Sequence, residues 1–163
     1  VLYLLPREVK VIDNSSLATL GFVAKEDSAS YEFVQREPQY YSVEVRNPAW
    51  GNWDMGGDVR FFTPLSEGYR TVIFYFVDEQ KYLVTADDDF GGGAHFEFYK
   101  DTKEHVDTWC SDPNKTVEEY FTAALNNPDI EDPYLYYLQL VDNYIKDTFG
   151  LTLDELYALP AGQ

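Results

Sequence analysis

Along the first two thirds of the chain, apolar residues recur at every second position in short runs that turn-forming residues separate. In YYSVEVR (40–46), Tyr41, Val43 and Val45 alternate with Ser42, Glu44 and Arg46, the pattern of a strand buried on one face and wet on the other. YRTVIFYFV (69–77) is apolar almost throughout and reads as a central strand covered on both sides. Only Asp78, Glu79 and Gln80 separate it from KYLVTA (81–86), which predicts a hairpin. LATLGFV (17–23), YEFVQ (31–35), DVRFF (58–62), AHFEFY (94–99) and HVDTW (105–109) are further candidate strands. No helical stretch of a dozen residues lies between consecutive runs to make a parallel crossover, so the sheet is expected to be antiparallel.

Beyond Cys110 the period lengthens to that of a helix. Thr116 and Glu119 form a capping box, and Val117, Tyr120, Phe121 and Ala124 follow at helical spacing, predicting a helix over 117–126. A second helix is expected to open at Pro133, with Tyr134, Tyr137, Leu138, Val141 and Ile145 on one stripe and Gly150 as its stop. Thr152 and Glu155 make another capping box and open a short third helix ending before Pro160. Strands first and helices afterwards define an α+β fold. The expectation is one domain over residues 1–163, strand-rich over 1–110 and helical over 111–163: a mainly antiparallel sheet with two to three C-terminal helices packed on it.

Composition narrows the function. A chain of 163 residues that is 45% hydrophobic can bury one core, and 14 Tyr and 11 Phe suggest that some rings face a partner. The net charge is −17; residues 1–100 hold 16 acidic and 9 basic side chains (−7), and residues 101–163 hold 13 and 3 (−10). Such a surface opposes direct nucleic-acid binding and favours a protein partner with a basic surface. Cys110 is the single cysteine, so no intramolecular disulfide and no cysteine-rich zinc site is available. No run approaches the ~18 apolar residues of a membrane span, so no membrane insertion is expected. The start VLYLLPREVK is too short and too soon charged for a signal peptide. A cytoplasmic protein without cofactor is the expectation, although the chain lacks an initiator Met and an upstream leader or anchor would not show in it.

Candidate chemistry concentrates in TADDDFGGGAHFEF (85–98). As a calcium loop the spacing fails, because Phe90 stands where a third oxygen ligand is needed. His95-Phe96-Glu97 matches the His-x-Glu element of zinc deaminases, but the two cysteine ligands are missing. Asp89-Phe90-Gly91 matches the kinase magnesium motif without any other kinase element. On the expected strand, His95, Glu97 and Tyr99 share one face, a row open to two readings: a catalytic trio, or the polar side of a strand with cross-strand hydrogen bonds. Asp87, Asp88 and Asp89 precede Gly91, Gly92 and Gly93 as in a tight turn, and their carboxylates could receive an Arg or Lys from a partner. The loop Asn47 to Asp58 carries Trp50, Trp53 and Asp54, a second candidate contact if it lies at the same end of the sheet.

The order of strand KYLVTA, Asp-rich and triple-glycine turn, strand AHFEFY, the V-x-x-W step of HVDTW and capped helix TVEEYFTAAL resembles the core of the SMI1/KNR4-like (SUKH) proteins over residues 81–125. Upstream, strand-like REVKVI follows Leu5-Pro6, where that family opens with a helix. The resemblance implies a non-enzymatic α+β binding module, many of its members being immunity proteins that block a competitor's toxin, and it carries over no catalytic residues.

The leading expectation is therefore an immunity or inhibitor protein that contacts a basic partner through Asp87, Asp88, Asp89, Trp50, Trp53 and Asp54. A DNA mimic is the second, using Asp129, Glu131, Asp132, Asp142, Asp147, Asp154 and Glu155. A small hydrolase, lyase or isomerase using His95, Glu97 and Tyr99 is the third.

Overall fold

The computed structural model describes residues 17–25, 30–37, 40–46, 58–64 and 68–159. Among them, eight strands form one antiparallel sheet in which each strand pairs with its neighbour in sequence. The strands are β1 (Val23–Ala24), β2 (Ser30–Gln35), β3 (Tyr41–Arg46), β4 (Val59–Pro64), β5 (Tyr69–Phe76), β6 (Lys81–Asp88), β7 (Gly93–Tyr99) and β8 (His105–Cys110). Three helices follow: α1 (Val117–Leu125), α2 (Pro133–Phe149) and α3 (Leu153–Ala158). The architecture is α+β, as the change of period at Cys110 predicts.

Register explains where the core sits. Val43, Phe61, Ile73, Val84 and Phe96 lie opposite one another from β3 to β7, and each is at most 1% exposed. The helices cover this row. The Phe96 ring meets Phe121 of α1 edge-on at 5.0 Å and Tyr134 of α2 at 4.7 Å, and Phe121 meets Tyr137 at 5.3 Å. At the other end, Phe149 packs against Phe22 and Phe33. All the apolar positions expected on α1 and α2 are buried.

Helix ends follow the sequence signals. Thr116 and Thr152 each accept from the backbone N–H three residues on, and Glu119 and Glu155 reach back to the cap, so orphan donors are satisfied in both capping boxes. Asp132 caps α2 ahead of Pro133, and Asn126 and Gly150 end α1 and α2 in the left-handed conformation. Among the described residues, no helix is long and apolar enough to cross a membrane.

The structure departs from the sequence pattern in four places. β5 is central in the sheet but not covered on both sides: the helices pack on its Ile73 face, while on the other face Val72 is only half-buried and lines an open hollow. LATLGFV is mostly not a strand: Leu17 to Gly21 form successive turns, with Leu20 and Gly21 N–H donating to the carbonyls of Leu17 and Ala18, and only Val23–Ala24 pairs with β2. On β3 the expected wet face is covered, since Ser42 and Glu44 are 5% and 8% exposed; Lys25 and Arg60 both pair with Glu44 and make its burial tolerable. Finally, β6 runs two residues further than KYLVTA, because Asp87 and Asp88 continue the ladder opposite Arg70 and Tyr69. The loop carrying Trp50, Trp53 and Asp54, and the segment REVKVI, lie outside the described residues.

Phe96 touches both covering helices, so Phe96→Ala leaves a cavity that neither can fill. A loss of about 3–5 kcal/mol is expected, read in urea as a lower unfolding midpoint at unchanged slope.

Candidate functional site

The Asp- and Gly-rich stretch is a rigid hairpin tip, in which Asp88 is the organising residue. Its Oδ1 accepts from the backbone N–H of Phe90 (2.8 Å) and Gly92 (2.9 Å), and its Oδ2 accepts from the hydroxyl of Tyr120 on α1 (2.9 Å). The glycines answer to this geometry. Gly91 has φ 84°, and a Cβ on Gly92 would stand 2.7 Å from Asp88 Oδ2. A Cβ on Gly93 would meet the Ala86 carbonyl at 2.8 Å. Ser111 secures the returning strand by accepting from Gly93 N–H at 2.9 Å.

The three aspartates thus do not act as one cluster. Asp88 is turned inward, while Asp87 and Asp89 face out and hold Arg70 of β5 between them, at 3.2 and 3.0 Å. Both keep most of their side-chain surface in solvent, so they remain available at the rim. Beyond them Phe90 stands at the tip, 96% exposed, on a backbone that Asp88 and Gly91 fix.

Next to the turn, the sheet face away from the helices is hollowed into a trough. Ser42, Phe62, Val72, Thr85, His95 and Trp109 align across β3 to β8 on this face. Two adjoining cavities, of about 420 and 250 Å³, share Phe62, Val72 and Phe74 as their floor. Arg70 and Asp87 line the larger, and Arg60 and Glu44 the smaller. An antiparallel sheet can show one polar, solvated face; here its centre is apolar and aromatic.

His95, Glu97 and Tyr99 do share that face, but each is held by structural contacts. The His95 ring bonds Thr108, the extra residue of a bulge between β7 and β8, and stacks on Trp109 at 5.5 Å. Glu97 accepts from the Tyr99 hydroxyl at 3.1 Å and lies 3.8 Å from Lys81. Among the described residues, no group of three or more His, Cys, Asp or Glu side chains is placed to hold a metal ion. Cys110 packs half-buried against the core.

On the helices, many acidic side chains are engaged within the fold. Tyr82 donates to Asp142 at 2.9 Å, and Tyr75 donates to Asp154 at 2.6 Å, with Gln80 and Lys100 also on Asp154. Asp132 and Glu155 are cap residues. Of the seven acids a DNA mimic would use, these four have partners within the fold, although Asp132, Asp142 and Glu155 are exposed, as are Asp129, Glu131 and Asp147.

Arg70 and Phe90 were not singled out by sequence, yet both were within reach. Counting back from the 77–80 turn pairs Arg70 with Asp87, and Phe90 is the one apolar residue between the aspartates and the glycines. Trp109 gave no such signal, since its place beside His95 depends on the bulge.

Compared with known protein families, curated proteins and solved structures, the chain matches none of them.

The Gly92 N–H above all, helped by the Tyr120 hydroxyl and the Phe90 N–H, holds the Asp88 carboxyl below the usual carboxylate range, against a smaller effect of burial. Since folding lowers this pKa, ionised Asp88 contributes stability above the unfolded value of about 3.9, and the contribution is lost as pH falls through the lower folded value. Asp88→Asn is therefore expected to melt lower than the wild type at neutral pH, with the gap closing below about pH 4. Melting curves across that range check it; a gap that stays constant would remove the charge of Asp88 from the account.

Proposed function

We propose that the protein is a non-enzymatic binding module of the inhibitor or immunity type, which seats a basic partner protein on the β6–β7 turn. Phe90 carries the reading. An aromatic ring 96% exposed at the tip of a fixed turn is poorly placed for a lone protein and well placed as an anchor, because the backbone that carries it is already ordered before binding. Asp87 and Asp89 flank it, and the net charge of −17 adds long-range attraction toward a basic surface.

Other features support the same class. The candidate catalytic row is held in structural pairs, and Asp142 and Asp154 are engaged by tyrosines of the sheet, which leaves fewer unengaged helical carboxylates for DNA mimicry. The resemblance of residues 81–125 to SMI1/KNR4-like immunity proteins supports a toxin as the partner. On this reading the protein acts in the cytoplasm, where a lone cysteine stays reduced.

Affinity capture from the source cells, with the bait as wild type, Phe90→Ala or Asp87→Asn/Asp89→Asn, tests the proposal. One basic protein retained in stoichiometric amount at low salt is expected with the wild type. Phe90→Ala should weaken it by about 2 kcal/mol without lowering the melting temperature. The double Asn variant should slow association and flatten its salt dependence. An empty capture, or a partner held equally by all three baits, would overturn the proposal.

A further inference from the structure

We infer that the trough beside the turn is the seat of an extended, arginine-bearing segment of that basic partner, an inference that rests on the binding-module reading. Shape gives the extended form. From Ser42 on β3 to Trp109 on β8 the trough crosses five inter-strand spacings, about 24 Å at ~4.8 Å each, the length of about seven extended residues. Its two cavities share a floor, so they form one path rather than separate holes.

Chemistry gives the arginine. The occupant meets an apolar floor of Phe62, Val72 and Phe74, then Trp109, 49% exposed and stacked on His95, then the carboxylates of Asp87 and Asp89 at the rim. A guanidinium suits that sequence of surfaces, because its flat face stacks on an aromatic ring while its edge pairs with a carboxylate. An ammonium offers only a point charge and no plane, so lysine should serve less well.

The chain already shows this chemistry in each of the two cavities. Arg70 lies on Asp87 and Asp89, and the Arg60 guanidinium sits 5.3 Å from the centre of the Phe74 ring with Glu44 at 3.6 Å. With both arginines paired, the lining still carries Glu32, Glu44 and Asp87 against Arg60 and Arg70, an excess of negative charge that matches a cationic occupant better than an anionic one. A second copy of the chain is disfavoured as the occupant, since it brings a net charge of −17 to a surface of the same sign.

The test uses a nonapeptide of alternating arginine and valine, with lysine–valine and glutamate–valine counterparts, at physiological salt. Trp50→Phe and Trp53→Phe leave Trp109 as the sole tryptophan of the three and make it the reporter. The arginine peptide is expected to change Trp109 emission saturably, the lysine peptide to bind several-fold more weakly and the glutamate peptide not at all. Thr85→Phe fills the floor without altering charge and should weaken the arginine peptide at least tenfold. Trp109→Leu, on the exposed edge strand and followed by calorimetry, should do the same without touching the core. Undiminished binding to both variants would mean general charge attraction, and would overturn the inference. So would a silent Trp109, or a dimer in sedimentation that Thr85→Phe dissociates. Because the peptide needs no natural partner, a failed titration beside a Phe90-dependent capture removes the trough alone, whereas failure of the module reading shows in the capture.

Discussion

Four tyrosine hydroxyls bridge the sheet and its covering helices, and these bonds tie the two layers together; the fully buried Tyr137, whose hydroxyl has no hydrogen-bond partner among the described residues, is the exception. The inner face of the sheet carries Tyr75 and Tyr82, each 1% exposed, and the helices supply what they need: Asp154 for the first, Asp142 for the second. In the reverse direction, Tyr120 of α1 reaches down to Asp88 at the end of β6, and Tyr144 of α2 donates to Gln35 of β2. Hydrogen bonds to charged acceptors are worth about 1.5–3 kcal/mol each, and leaving such a hydroxyl unpaired would cost a comparable amount. Ring packing gives the interface its area, and the hydroxyls fix its register. The two helical carboxylates differ in electrostatics. Desolvation raises the Asp142 carboxyl above the usual range despite the bond from Tyr82, whereas at Asp154 the bonds from Tyr75, Gln80 and Lys100 outweigh desolvation and lower it.

Those bonds sort the acidic residues into two populations. Asp88, Asp142 and Asp154 accept from tyrosines of the sheet–helix interface and hold the fold; Asp87 and Asp89 face outward beside Phe90. The turn joins the two functions. By bonding both Tyr120 and the backbone of the tip, Asp88 ties the exposed ring to the α1 packing, so the proposed anchor stands on the core rather than on a loose loop.

Sequence periodicity was enough to read the sheet, the helix caps and the buried stripes of α1 and α2, because alternation and capping are local consequences of strand and helix geometry. The places where it failed depend on contacts distant in sequence. Nothing near Glu44 announces that Lys25 and Arg60 will cover it. Within DDD, letters alone make the three aspartates equivalent; only the strand register and a helix 32 residues away turn Asp88 inward. Tyrosine richness suggested rings for a partner, yet most of those described serve the sheet–helix interface. The trough was invisible, since Phe62, Val72, Thr85, His95 and Trp109 come from five strands and meet only through cross-strand alignment.

On the proposed function, recognition belongs to the β6–β7 turn and the open sheet face, while Asp142 and Asp154 serve the fold. Hydrogen–deuterium exchange of the protein with and without its captured partner tests this most directly. The account predicts new protection over residues 87–93 and the adjoining strands β5 to β8, with exchange in α2 and α3 unchanged. Protection concentrated on the helices, with the turn exchanging as in the free protein, would contradict it.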